Sequence, residues 1–210
     1  MKKYTIDEII SLARAKLDEI GLNDSEMAET DTDNANVNTI IKSCIADAYR
    51  TVAMLADVAL IEAKDGSGAT LSIDSNLVGK ISLPSDFLRL VSVRLSSWVS
   101  SRDTAVPEDS DLYRMQSNKW VCGSPDMPVA ALVNGPDGRA LELYKAASTG
   151  DTLRSFTYVA SIDKNASEVN ISDQLADAFI YFVAGLTAVS LQEPVADNLL
   201  KIARGLIGVE

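Results

Sequence analysis

Ile81-Ser-Leu-Pro-Ser-Asp-Phe-Leu-Arg-Leu-Val-Ser-Val-Arg-Leu95 runs from an extended segment through a proline-led turn into an alternating strand. Pro84 fixes its own φ and holds Leu83 extended, which ends the first strand. Asp86 belongs to the residue types that hydrogen-bond turn backbone, so its carboxylate is expected to cap this turn. Phe87 offers the turn an apolar anchor, expected where a sheet meets packed helices. From there the period is two: Val91, Val93 and Leu95 face one way, Ser92, Arg94 and Ser96 the other.

Working outward, the period of two extends from about residue 66 to 163. Candidate strands cover 69–73, 78–83, 90–98, 129–134, 139–145 and 153–161. Asn134-Gly-Pro-Asp-Gly138 reads as a hairpin turn, and Glu108 to Asn118 as a short helix carrying Leu112, Tyr113 and Met115.

On either side the period is helical. Thr5-Ile6-Asp7-Glu8 is a capping box, with Tyr4 and Ile9 fitting a hydrophobic staple. Ile6, Ile10, Ala13, Leu17 and Ile20 form an apolar stripe that ends at Gly21. Residues 22–36 read as an acidic linker. A second helix is expected from Asn36 or Asn38, with Ile41, Ile45, Ala48, Val52, Leu55 and Ala59 on one seam, broken by Asp65-Gly-Ser-Gly68. Ser172 is expected to cap a helix through Leu191. Pro194 opens the next, which carries Leu199, Leu200, Ile202, Leu206 and Ile207.

Four separated apolar seams need partners, so the sequence predicts an α+β chain: a four-helix bundle with an inserted antiparallel β domain. The bundle helices are 5–20, 38–63, 172–191 and 195–208. The expected domains are 1–65 and 164–210 as helical halves, with 66–163 as the β domain.

The chain has 210 residues, 47% hydrophobic, a size that buries a core without a metal or disulfide staple. Cys44 and Cys122 follow no pairing pattern and suggest free thiols in a reducing compartment. The start, Met-Lys-Lys-Tyr-Thr, lacks the apolar run of a secretion signal. Leu175 to Leu191, broken by Asp177, is short for a membrane span and reads as a buried helix.

The net charge of −11 divides as −6 for residues 1–65 (seven basic, thirteen acidic), −2 for 66–163 (nine, eleven) and −3 for 164–210 (three, six). No part is basic, which disfavours tight binding to a nucleic-acid backbone.

The chain contains no histidine, the commonest general base and zinc ligand. It has no phosphate-binding glycine motif; Gly66-Ser-Gly68 and Gly135-Pro-Asp-Gly138 read as turns. Asp31-Thr-Asp33-Asn-Ala35-Asn36 starts like a calcium loop, but Ala35 offers no ligand oxygen at the fifth position and glycine is missing at the sixth. Glu108-Asp109-Ser-Asp111 could pair carboxylates for a metal-dependent hydrolase, or simply suit a helix N-terminus. Phe179, Tyr181 and Phe182 sit on an apolar helix and read as core, whereas Trp98 and Trp120 fit a buried place or an interface equally. No catalytic, cofactor-binding or metal-binding residue is therefore assigned.

Three segments, in order, carry a family resemblance: Leu83-Pro-Ser-Asp-Phe-Leu-Arg89, Leu141-Glu-Leu-Tyr-Lys-Ala146 and Leu175-Ala-Asp-Ala-Phe-Ile-Tyr-Phe-Val-Ala-Gly185. They resemble the proline turn, post-hairpin strand and small-and-aromatic helix of phage head–tail adaptor (connector ring) proteins, the group that includes tail tubular protein A. Lys145 departs from the pattern, standing where proline is frequent. The resemblance implies a non-enzymatic virion protein at the head–tail interface, made in the bacterial host cytoplasm. It implies a homo-oligomeric ring, usually dodecameric, that meets the portal protein and another tail or ring protein. DNA would pass through the ring without sequence-specific binding, and no membrane or cofactor is implied. An acidic lumen would let phosphate pass, and the 22–36 linker would be an arm that orders on a neighbour. A non-phage scaffold or interaction module, or less readily a hydrolase on the acidic clusters, are the alternatives.

Overall fold

The computed structural model describes residues 1–19, 31–136 and 138–208. The chain divides into two compact units, Met1–Glu62 with Ser161–Glu210, and Ala63–Ala160. Among the described residues it is α+β, with five α-helices and ten strands in three sheets. The expected four-helix bundle with an insertion is not what forms: strands outnumber helices two to one, and they enter both units.

In the first unit, β1 (Lys2–Thr5) pairs antiparallel with β10 (Glu168–Ile171), bringing two distant stretches of the sequence, Lys2 opposite Ile171 and Thr5 opposite Glu168, into one ribbon. α1 (Ile6–Glu19) starts at the capping box: the Glu8 amide donates to Thr5 Oγ1, and the Thr5 amide donates to Glu8 Oε2 at 2.8 Å. Its fully buried stripe is Ile9, Ala13 and Leu17 rather than one centred on Ile6 and Ile10. The expected stop at Gly21 lies outside the described residues, as does 22–30 of the linker.

α2 (Asp31–Leu55) begins earlier than its expected asparagine caps, so 31–36 are the first turns of a helix rather than linker or loop. It buries Ile41, Cys44, Ile45, Ala48, Tyr49 and Val52. It ends short of residue 63 because the Asp57 carboxylate accepts from the Ala59 amide and caps a separate 3-10 turn, Val58–Leu60.

After a short helix of the other unit, α3 (Asp111–Met115), comes α4 (Asp173–Ser190), which is buried on nearly every side from Leu175 to Ala188. It packs against α1, α2 and α5 (Ala196–Ile207). The helices thus gather on α4 as a hub, because only its surface is apolar all round. Gly185 permits the α5 approach, since a Cβ there would lie 2.7 Å from Leu200. Ser172 occupies the N-cap position without a side-chain capping bond, and α5 opens at Ala196 behind Val195.

In the second unit a three-stranded sheet, β2 (Lys64–Asp65), β9 (Leu153–Ala160) and β5 (Phe87–Leu95), is ordered β2-β9-β5. A five-stranded sheet runs β3 (Leu71–Ile73), β4 (Gly79–Ser82), β8 (Gly138–Tyr144), β7 (Val129–Gly135) and β6 (Val106–Pro107). β6 pairs parallel with β7, so the unit is not wholly antiparallel. Ile81, Ala130, Leu141 and Leu143 of one sheet and Leu90, Val93, Leu95 and Phe156 of the other enclose a single core. α3 (Asp111–Met115) lies in the long connection between β6 and β7.

The strict alternation in β5 fails at its bulges. Leu90 opposes Tyr158 while Ser92 opposes Thr157, so Val91 is the extra residue. Leu90 therefore takes the core position with Val93 and Leu95, and Val91 is left half-buried.

Candidate functional site

The proline turn is closed by its backbone: the Phe87 amide donates to the Pro84 carbonyl at 3.0 Å. The Asp86 carboxylate does a different job from the expected cap. Its Oδ2 accepts from Lys64 Nζ at 2.6 Å and its Oδ1 from the Tyr158 hydroxyl at 3.1 Å, tying the turn to β2 and β9. Phe87 is 6% exposed and stands in the β unit's own core, not at the expected junction of sheet and bundle. Its ring stacks with Tyr158 (5.6 Å) and Phe156 (6.4 Å), and the Arg139 guanidinium lies 5.5 Å from its centroid.

Burial opposes ionisation of Asp86, but the hydrogen bonds from Lys64 and Tyr158 and the Lys64 charge outweigh it and hold the carboxyl below its usual range. A group whose folded pKa is depressed stabilises the fold above its unfolded value, near 4, and loses that contribution as pH falls through the folded value. Asp86→Asn should therefore cost about 1 kcal/mol at neutral pH. The difference from the parent chain should close as pH drops below about 4. Denaturant unfolding of both proteins between neutral and acid pH checks this; a difference independent of pH would assign Asp86 no ionic role.

The connection from β5 to β7 separates the two tryptophans. Trp98 is 1% exposed, and its Nε1 donates to the Lys145 carbonyl at 2.9 Å. Trp120 is 83% exposed, and Val99, Leu112, Met115, Val121 and Met127 are exposed in the same connection. The backbone beneath them is well tied. Arg94 donates to the carbonyls of Trp98 and Val99, and the Val99 amide donates to the Pro125 carbonyl. Buried Gln116 spans the loop, donating to the Leu112 carbonyl at 2.7 Å and accepting from the Gly123 amide at 2.8 Å. Gly123 is required by proximity, since a Cβ there would lie 2.6 Å from the Tyr144 carbonyl oxygen. Apolar side chains on a tied backbone and open to water make this connection the candidate for an interaction surface. Nothing in the periodicity distinguished Trp120 from Trp98; the signal was their neighbours, Leu95 against Asn118 and Lys119.

The acidic cluster is dispersed. Glu108 accepts from the Asn134 amide, and Asp111 pairs with Arg114 at 3.0 Å within α3. Ser110 caps that helix through the Tyr113 amide. Glu142, in β8, accepts from the Tyr144 hydroxyl at 2.6 Å and the Tyr113 hydroxyl at 3.3 Å. Burial first, and then the Glu142 carboxylate beside them, pushes both phenols above the usual tyrosine range. Beside them opens a groove of about 700 Å³ whose lining includes Val78, Tyr113, Arg114, Lys119, Tyr144 and Lys145.

The other singled-out residues take structural places. Residues 31–36, the calcium-like stretch, are helical backbone. Gly66 passes under the Phe156 ring, where a Cβ would lie 2.6 Å away. Phe179 and Phe182 are buried in the α4 hub, while Tyr181 is half-buried with Lys16 Nζ 5.0 Å from its ring. Cys44 is buried, Cys122 half-buried, and neither is in a disulfide. Among the described residues no three Cys, Asp or Glu side chains converge as a metal site. No helix among them is long and apolar enough to cross a membrane. Compared with protein-family models and with curated proteins, the chain matches none.

Proposed function

We propose that this chain is a non-enzymatic structural subunit of a phage head–tail adaptor ring, bridging the portal to the tail around the DNA channel. The observation that carries the reading is the ordered series of three motifs, 83–89, 141–146 and 175–185. Each has a distinct place here: a pinned corner between β4 and β5, the strand β8 with its continuation, and the hub helix α4. Two physical features support it. The exposed Trp120, Val121 and Met127 give the β unit a surface for a neighbouring protein. The net charge of −11 suits a channel that phosphate must cross without sticking. The same charge makes self-assembly conditional. Subunits of like sign repel at distances up to about 8–10 Å at physiological salt, so a portal template would have to organise them.

Purified chain added to portal-bearing, tailless capsids should add ring-shaped density at the portal vertex in electron micrographs. Trp120→Ser should weaken that attachment while leaving the melting temperature unchanged, because the indole buries almost nothing in the free chain. A fixed small oligomer in light scattering that never joins the capsids would defeat the adaptor reading. The exposed Trp120 would then favour an interaction module outside any virion.

A further inference from the structure

We infer that the groove beside Tyr113 and Tyr144 is an acceptor for residues 22–30 of a second copy of this chain. The inference rests on the ring reading for its second copy, and on charge for its occupant. The protein is acidic throughout, yet this groove is lined by Arg114, Lys119 and Lys145 against a single carboxylate, Glu108. Arg114 already meets Asp111, but both side chains are more than two-thirds exposed, so that pair is weak and exchangeable. The Glu142 carboxylate beside the groove is engaged by the Tyr113 and Tyr144 hydroxyls, which blunts its repulsion of an incoming acid. Val78, Tyr113 and Tyr144 add apolar surface under the basic rim.

Leu22-Asn-Asp-Ser-Glu-Met-Ala-Glu-Thr30 matches that lining in kind. Asp24, Glu26 and Glu29 are its charges, no basic residue interrupts them, and Leu22 and Met27 supply apolar contacts. A closed ring needs a heterologous interface, in which two different surfaces of the same chain meet head to tail. An acidic segment and a basic groove are such a pair, and their attraction offsets the like-charge repulsion between subunits. Nucleic acid suits the groove less well, because three basic side chains on a chain of net charge −11 give a phosphate backbone few partners.

The test uses a synthetic peptide of residues 22–30, titrated into two full-length proteins by calorimetry and tryptophan fluorescence. Lys119 Nζ lies 4.9 Å from the Trp120 ring, so the indole reports on the rim. One protein is the parent chain. The other carries Asp24→Asn, Glu26→Gln and Glu29→Gln, which removes its own acidic segment as a competitor. Both should bind the peptide, with affinity falling as salt rises. Lys119→Glu with Lys145→Glu should weaken binding about tenfold or more. A peptide with the same three acids neutralised should fail to bind. No binding, equal binding of the neutral peptide, or equal binding to the charge-reversed protein would overturn the assignment. Binding to the substituted chain but not to a parent that light scattering shows to be monomeric would place the segment in its own chain's groove, which also overturns it. Ring formation on capsids by the parent chain is read separately, so the docking can fail while the adaptor reading stands.

Discussion

Phe87→Ala will destabilise the β unit by about 3–5 kcal/mol, the cost of emptying an enclosed aromatic site. The ring is 6% exposed and lies against Phe156 and Tyr158 with Arg139 beside it, so its removal leaves a space that neighbours fill poorly. Collapse is hindered because Phe156 also packs against Gly66, and the Tyr158 hydroxyl is held by Asp86. The loss adds to nothing at Asp86 itself: Lys64 and Tyr158 keep their carboxylate. Denaturant unfolding should show a lower midpoint with an unchanged slope, which marks a change in stability rather than in exposed surface. Phe87→Leu should recover a good part, since most of the apolar volume returns. A loss below about 1 kcal/mol for the alanine variant would show that this corner is not held by packing.

The same corner shows how far the sequence carries. Proline, turn and strand are all present at 83–95, and the burial of Phe87 follows from an aromatic residue in a pinned turn. What the residues do not disclose is partnership. Aspartate commonly serves its own turn, so the sequence alone points Asp86 there. Its actual partners, Lys64 and Tyr158, lie 22 and 72 positions away and meet it only once β2 and β9 have paired. The phase of β5 is lost for the same reason. Alternation predicts Val91 in the core, and only the register against β9 reveals the bulge that substitutes Leu90.

Length of element decides much of the rest. The hairpin around residues 134–138 and its strands, seven residues each, have enough alternation and turn chemistry to be read directly. β1, β2, β6 and β10 span two to four residues, too few to show any period, and each is stabilised by a partner elsewhere. The apolar stripes of the long helices are visible, but a stripe does not name the surface that covers it. Four stripes suggest a four-helix bundle, whereas α4 serves α1, α2 and α5 as a hub. Asp31–Asn36 reads as linker because Asp and Asn compete with the helix through their side chains, yet these residues open α2. At the candidate surface, the sequence leaves Trp120 fitting a buried place or an interface equally, and the groove is not legible at all. Its basic rim comes from α3, the following loop and the end of β8, three places brought together by Gln116 and Gly123.

Trp98→Ala should equal or exceed the Phe87 effect, at about 3–5 kcal/mol, and should reach the surface as well as the core. Trp98 is among the largest fully buried side chains, and its indole N–H is its one polar demand, met by the Lys145 carbonyl just beyond β8. The alanine variant loses the packing and also leaves that carbonyl without its donor. Trp98→Phe separates the two contributions: it keeps most of the apolar area and should cost about 1–3 kcal/mol, the range for an unmet buried hydrogen bond. The backbone consequence is specific. Trp98 and Val99 carbonyls hold Arg94, and the Val99 amide holds Pro125, so the loop carrying Met127 hangs from this point. Trp98→Ala should thus weaken capsid attachment and stability together. Trp120→Ser, at the exposed end of the same connection, should weaken attachment alone. Denaturant unfolding paired with the capsid assay reads both quantities for each variant. If Trp98→Ala unfolds no more easily than Trp120→Ser, the indole is not the anchor of this loop, and the exposed apolar residues owe their placement to the Gln116 staple.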